Sequence, residues 1–140
     1  MKQALVDSSV VLDLLTRDPR FFASSKETLV RWGSTHILNI NAVIYAEVSV
    51  GFHTIESLEA AVTGVGFRVV PIPREALFLA GKAFVAYRRR GGNRTSPLPD
   101  FFIGAHAAVA ALPLLTRDPV RVRREFPTVE IVEPGMLDPS

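Results

Sequence analysis

ALVDSSVVLDLLTRDP, residues 4–19, changes character at its fourth residue. Up to Asp7 it continues a short β-rich run. After Asp7, SSVVLDLL sets Val10, Val11, Leu14 and Leu15 on one face at helical spacing. Its last six residues, LLTRDP, recur at 114–119. The second copy follows Pro113, and PLLT reads as a strand, so one hexapeptide closes a helix at 14–19 and leaves a strand at 114–119. The flanks do not match, which excludes an internal repeat. In the first copy Arg17-Asp18-Pro19 marks the helix end, where Asp before Pro favours a turn. In the second, Asp118 stands just beyond the carboxyl end of a strand.

The rest of the chain follows the same alternation. HILNIN (36–41), FRVVPIP (67–73) and VEIVEP (129–134) read as strands. FFASSKETLVRWGS (21–34) reads as a helix with Phe22, Leu29 and Trp32 turned to the core. AVIYAEVSVGF (42–52) and IESLEAAVTGVG (55–66) follow, the latter stopped by Gly64 and Gly66. REALFLAGKAFVAYRRR (74–90) is a long amphipathic helix ended by Gly91-Gly92, and a loop, GGNRTSPLP, leads to a helix starting at Asp100, DFFIGAHAAVAAL. A short helix falls around RVRREF (121–126). Strands alternating with helices predict βαβ units: a single-domain α/β/α sandwich with a parallel central sheet over residues 1–134, and a loose tail at 135–140.

Composition narrows the classes. The chain has 140 residues, 48% hydrophobic and 21% charged, which is globular rather than disordered. No apolar run approaches the roughly 20 residues of a membrane span, and MKQALVD has no long apolar signal region. The absence of cysteine excludes disulfides, thiolate metal sites and a Cys nucleophile, and fits a cytoplasmic location. Net charge is only +2, but arginines cluster in YRRRGGNR (87–94) and RVRREF. Solvated helix ends account for them on charge alone; a phosphate-contacting rim is the sharper reading.

Four acids are out of pattern. Asp7 and Asp118 follow strands, where the functional crevice of an open α/β sheet lies. Glu47 interrupts an apolar helix, and Asp100 opens the most apolar one. Taken singly, Asp7 and Asp100 could be N-caps, Asp118 a turn former and Glu47 a solvent-facing residue. Taken together, the fold brings all four toward one edge, and crowded carboxylates cannot all stay ionised without a compensating cation. Oxygen-only ligands suit Mg²⁺, with Mn²⁺ the alternative, and point to metal-assisted phosphodiester hydrolysis. Other chemistries fit worse. His36, His53 and His106 lack paired metal spacing and read as packing or surface histidines, Ser8-Ser9 lack a GxSxG elbow, and no GxxxxGK[ST] loop is present.

At these residues the chain resembles the PIN-domain ribonucleases, specifically the VapC-type toxins of toxin–antitoxin pairs. The matching pieces are LVDSSVVLDLL, NAVIYAEVSVGF, PDFFIGAHAAVAALPLLTRDP and FPTVEIVEP, which occur in the family's order and cover nearly the whole chain. The resemblance implies a PIN-like α/β/α fold and a Mg²⁺-dependent endoribonuclease, with RNA as substrate, a VapB-type antitoxin as partner and a homodimer. By position it makes Asp7, Glu47, Asp100 and Asp118 the acidic cluster, with Asp7 and Asp100 holding the metal and Glu47 and Asp118 acting directly or through water. Thr116 falls where a hydroxyl residue orders the site, and Ser9 where a Ser or Asn stands near the first acid. The competing reading is a catalytically silent PIN-like module that binds RNA or protein.

Overall fold

The computed structural model describes residues 1–92 and 98–135. Asn93 and Arg94 of the basic segment, and the tail from residue 136, lie outside the described residues. Five strands form one parallel sheet: β1 (Lys2–Val6), β2 (His36–Ile40), β3 (Arg68–Val69), β4 (Leu114–Leu115) and β5 (Ile131–Val132), in the order β3-β2-β1-β4-β5. The helices among the described residues are α1 (Ser8–Leu15), α2 (Phe22–Gly33), α3 (Ala42–Ser49), α4 (Ile55–Val65), α5 (Arg74–Arg89), α6 (Leu98–Ala110) and α7 (Val120–Glu125).

The apolar runs dictate the layering. Ala4, Leu5 and Val6 of central β1 are fully buried, as are Ile40 of β2 and Leu114 and Leu115 of β4. A strand buried on both faces needs such an unbroken run, because crossover helices cover each side of a parallel sheet. Val10, Val11, Ile44, Val48, Ala76, Ala80, Phe101 and Ile103 join α1, α3, α5 and α6 to the same core as that sheet. Each buried Val, Leu or Phe contributes about 1.5–3 kcal/mol to this packing. Gly104 lets α6 approach closely: a Cβ there would collide with the Phe126 ring that follows α7.

The strand order places the site. Connections run outward from β1 to β2 and β3 in one direction, and to β4 and β5 in the other, so the winding reverses between β1 and β4. The β1–β4 register pairs Leu5 with Leu114 and Val6 with Leu115, which sets Asp7 and Thr116 side by side at the carboxyl edge. In doubly wound sheets such a reversal opens a crevice.

Several boundaries differ from the sequence-based expectation. α6 begins at Leu98, two residues before Asp100, because Pro99 lies in the first turn, where a missing N–H is tolerated. Gly64 is inside α4; only Gly66, at φ +94°, ends it, with its amide on the Val62 and Thr63 carbonyls. β3 is confined to Arg68–Val69, since Pro71 cannot donate to a ladder. Leu14, Leu15 and Trp32 are half-buried against the core, whereas Phe22 lies near the Lys26 and Arg17 cations.

Candidate functional site

Asp7 occupies the N-cap position of α1, yet its side chain makes no capping hydrogen bond. Its carboxylate is used sideways instead. Ser9 Oγ donates to Asp7 Oδ2 at 2.7 Å, and Thr116 Oγ1 donates to the same oxygen at 2.8 Å. Each hydroxyl in turn accepts a backbone amide from the segment after β4: Arg117 N to Ser9 Oγ at 3.2 Å, and Asp118 N to Thr116 Oγ1 at 3.0 Å. The reversal point of the sheet is thus stitched by two hydroxyls converging on one carboxylate oxygen.

Glu47 reaches this edge from α3. Asn41 caps that helix by accepting Ile44 N at 2.9 Å, which fixes the phase at which Glu47 projects. Its Oε1 accepts from Ser8 Oγ at 2.9 Å, next in sequence to Asp7. Burial pushes the Glu47 carboxyl up, the Ser8 hydrogen bond opposes that shift, and the charges of Asp7 and Asp100 reinforce it. Asp100, in the first turn of α6, is also pushed up, by burial first and then by the charge of Asp7. Arg121 of α7 opposes the shift through a 3.0 Å ion pair with Asp100, and Asp118 adds to it.

All four sequence-predicted acids therefore fall in one electrostatic neighbourhood. Asp100 and Asp118 also line a cleft of about 300 Å³ with Tyr87, Arg117, Arg121 and Arg124. Among the described residues, no group of three or more Asp, Glu, His or Cys side chains is drawn tightly enough together to ligate one ion as it stands. The donor chemistry still fits a hard divalent cation: the acids offer oxygen alone, and burial together with like charge disfavours the ionised forms of Glu47 and Asp100.

Other candidates resolve into structure. Asp18 accepts the Arg20 and Phe21 amides at 2.8 and 2.9 Å, and these bonds hold its carboxyl below the usual range; this is turn chemistry. His106 is buried, with Nδ1 3.0 Å from Asn41 Nδ2, and burial lowers its pKa. His36 packs against Trp32. In the basic segment Arg90 Nη2 donates to both Glu125 oxygens, at 2.8 and 2.7 Å, and Arg88 lies over Phe84. Sequence reading passed over Asp13 and Arg117, and took Arg121 only as one arginine of the basic RVRREF segment. Asp13 carried a usable signal, since it interrupts an apolar helix just as Glu47 does.

A family model for the PIN domain matches residues 4–125. The chain belongs to the PIN domain family. Solved structures share the fold at low identity. A VapBC2 complex from Rickettsia felis, bound to a promoter DNA fragment, superposes with a TM-score of 0.71 at 13% identity, covering 93% of this chain and 97% of that one. A toxin–antitoxin complex from Klebsiella pneumoniae gives a TM-score of 0.65 at 21% identity, over 96% and 100%. A VapBC-5 structure from Mycobacterium tuberculosis gives 0.61 at 20%, over 95% and 99%. No curated protein sequence matches the chain. In this PIN domain, then, Asp7, Glu47, Asp100 and Asp118 gather at the sheet's reversal point, with Thr116 fastened to the first of them.

Proposed function

We propose that this PIN-domain chain is a metal-dependent endoribonuclease, the VapC-type toxin of a toxin–antitoxin pair. The observation that carries the proposal is the acid cluster itself: Glu47 and Asp100 are both pushed toward protonation by burial and by the charge of Asp7. A fold that needed these acids only for structure would have little reason to keep them crowded and partly desolvated.

Asp7 and Asp100 would hold Mg²⁺, or Mn²⁺ in its place, with Glu47 and Asp118 completing the set directly or through water. Such a cation supplies Lewis acidity that activates water and offsets charge on a scissile phosphate. The chain's own residues set the conditions for that chemistry. Ser9 and Thr116 fix the orientation of the Asp7 carboxylate, and Ser8 fixes Glu47. Arg121 offsets the charge of Asp100 while no cation is present. Arg124 stands at the cleft wall beside Asp100 and Asp118, where its fork suits an RNA backbone phosphate. The α5 residues Arg88 and Arg89 extend the basic surface.

The partner assigned is a VapB-type antitoxin, supported by the toxin–antitoxin complexes among the similar structures. A homodimer is supported by the exposed apolar strip of Leu77, Phe78 and Val85 on α5. The test is cleavage of a labelled structured RNA with Mg²⁺ and with chelator, comparing wild type with Asp7→Asn and Asp100→Asn, each checked for fold by circular dichroism. Loss of cleavage in both folded variants and in chelator supports the proposal. Full cleavage by either variant overturns it, and RNA binding without cleavage by wild type favours the silent binding module.

A further inference from the structure

The two copies of LLTRDP, 100 positions apart in sequence, come together in the fold. Asp13, the residue just before the first copy, is buried at 1% exposure. Arg117, inside the second copy, forks onto it: Nε to Oδ2 at 2.6 Å and Nη2 to Oδ1 at 2.9 Å. Ser25 Oγ donates to Asp13 Oδ2 at 2.7 Å, and the Arg117 guanidinium stacks 3.9 Å from the centroid of the Phe21 ring. No buried side-chain polar atom among the described residues is left without a hydrogen-bond partner.

We propose that Arg117 is a positioning residue for the reaction, clamping residues 116–118 so that Thr116 and Ser9 hold Asp7 in its working orientation. This rests on the nuclease reading above. The geometry is direct, because the clamp side chain and the two site-ordering amides belong to one short segment. Arg117 N donates to Ser9 Oγ, Asp118 N donates to Thr116 Oγ1, and both hydroxyls donate to Asp7 Oδ2. If the segment rocks, Ser9 Oγ loses the Arg117 amide and Asp7 loses the Thr116 hydroxyl together, so Asp7 loses its register against Asp100.

Stability alone is a weak reason to hold the Asp13 charge in the interior against a partly exposed Arg117. Desolvating two charges offsets much of their attraction, and apolar replacements of similar volume are often neutral. What a fork and a stacked plane supply is orientation: two parallel bonds and a ring fix the guanidinium in every direction. Lysine would keep the charge but lose both the fork and the stack.

The experiment uses the full chain and three variants: Arg117→Lys, the paired apolar change Asp13→Leu with Arg117→Met, carrying Ser25→Ala so that no buried hydroxyl is left unpartnered, and Asp100→Asn as the control for the nuclease reading. Melting curves establish fold. Steady-state RNA cleavage at saturating Mg²⁺ gives kcat and KM, and hydrogen exchange follows the Arg117 and Asp118 amides without metal or RNA. Clamping predicts that the paired variant melts within a few degrees of wild type while kcat falls at least tenfold with KM nearly unchanged, and that both amides exchange at least tenfold faster. Arg117→Lys should show the same pattern in milder form, and it decides the matter should the paired variant fail to fold. Wild-type kcat and wild-type protection in a folded variant would overturn the clamp. If wild type and Asp100→Asn are equally inactive, the nuclease reading fails, while amide exchange still decides whether Arg117 orders the segment.

Discussion

Thr116 donates its hydroxyl to Asp7 Oδ2 at 2.8 Å across the reversal point of the sheet, joining residues 109 positions apart in sequence. Thr116 is 1% exposed, so water cannot readily replace the bond. Hydrogen bonds to a charged group contribute roughly 1.5–3 kcal/mol, which corresponds to about ten- to hundredfold in rate if the bond is needed for catalysis. Thr116→Val keeps the shape and removes the donor, and it also strips the Asp118 amide of its acceptor. We expect kcat to fall in that range, with Thr116→Ser restoring most of it. Steady-state cleavage assays with both variants check this; equal losses would mean that the methyl group, not the hydroxyl, matters.

The two aspartates of the repeated hexapeptide should separate cleanly. Asp18 serves backbone amides through Oδ1, a role an asparagine oxygen can keep, so Asp18→Asn should retain wild-type cleavage. Asp118 is exposed at the cleft beside Asp100 and raises that acid through its charge, so Asp118→Asn should lower cleavage while leaving the melting curve nearly unchanged. Parallel rates and melts of the two proteins decide it.

Gly104→Ala tests how α6 is seated. The added methyl would meet the Phe126 ring, and overpacking of this kind costs about 1–3 kcal/mol. A denaturant melt should show the loss, and Gly104→Ala with Phe126→Leu should recover part of it. No loss in the single variant would mean that the ring moves aside freely.

Much of the layout was legible in the sequence because its causes are local. The buried runs ALV and LLT force two-sided strands, and an acid placed directly after such a strand lands at the sheet's carboxyl edge whatever the loops do. Asp7 is of this kind, and Asp118 follows LLT after one intervening residue. Glu47 and Asp100 showed themselves as charges set in apolar helices. The Asp13–Arg117 pair was hidden because it joins partners 104 positions apart: Asp13 stands out as a charge in an apolar helix, but nothing local names Arg117 as its partner. Arg121 was hidden for the same reason; nothing near RVRREF tells that one of its arginines turns to Asp100. Helix starts such as Leu98 depend on how the first turn tolerates proline, which local propensity judges poorly.

Without metal, the cluster should make the protein more stable at mildly acidic than at alkaline pH, and Mg²⁺ should reverse the order. Burial and the Asp7 charge push Asp100 up, and burial with the Asp7 and Asp100 charges does the same for Glu47. Between the ordinary and the raised pKa, the folded state holds protons that the unfolded chain has released. Stability therefore falls with rising pH across that window, from the ordinary carboxylate range of about 4 upward. The contribution is fully present below that range and lost as pH passes through the raised folded values. Asp18, whose pKa is lowered, acts in the opposite sense, so the effect is read as the difference between wild type and Asp100→Asn, in which Asp18 cancels. Asp100→Asn removes one titrating group and one repelling charge, and should flatten the metal-free profile above the ordinary carboxylate range. Mg²⁺ binds the ionised native cluster and adds stability by mass action as the protons leave, so its gain in Tm should grow with pH in wild type and vanish in the variant. Melting temperatures over pH 4–8, with Mg²⁺ and with chelator, measure both effects. Identical profiles for the two proteins, with no Mg²⁺ response in either, would mean that the four acids do not act as one site.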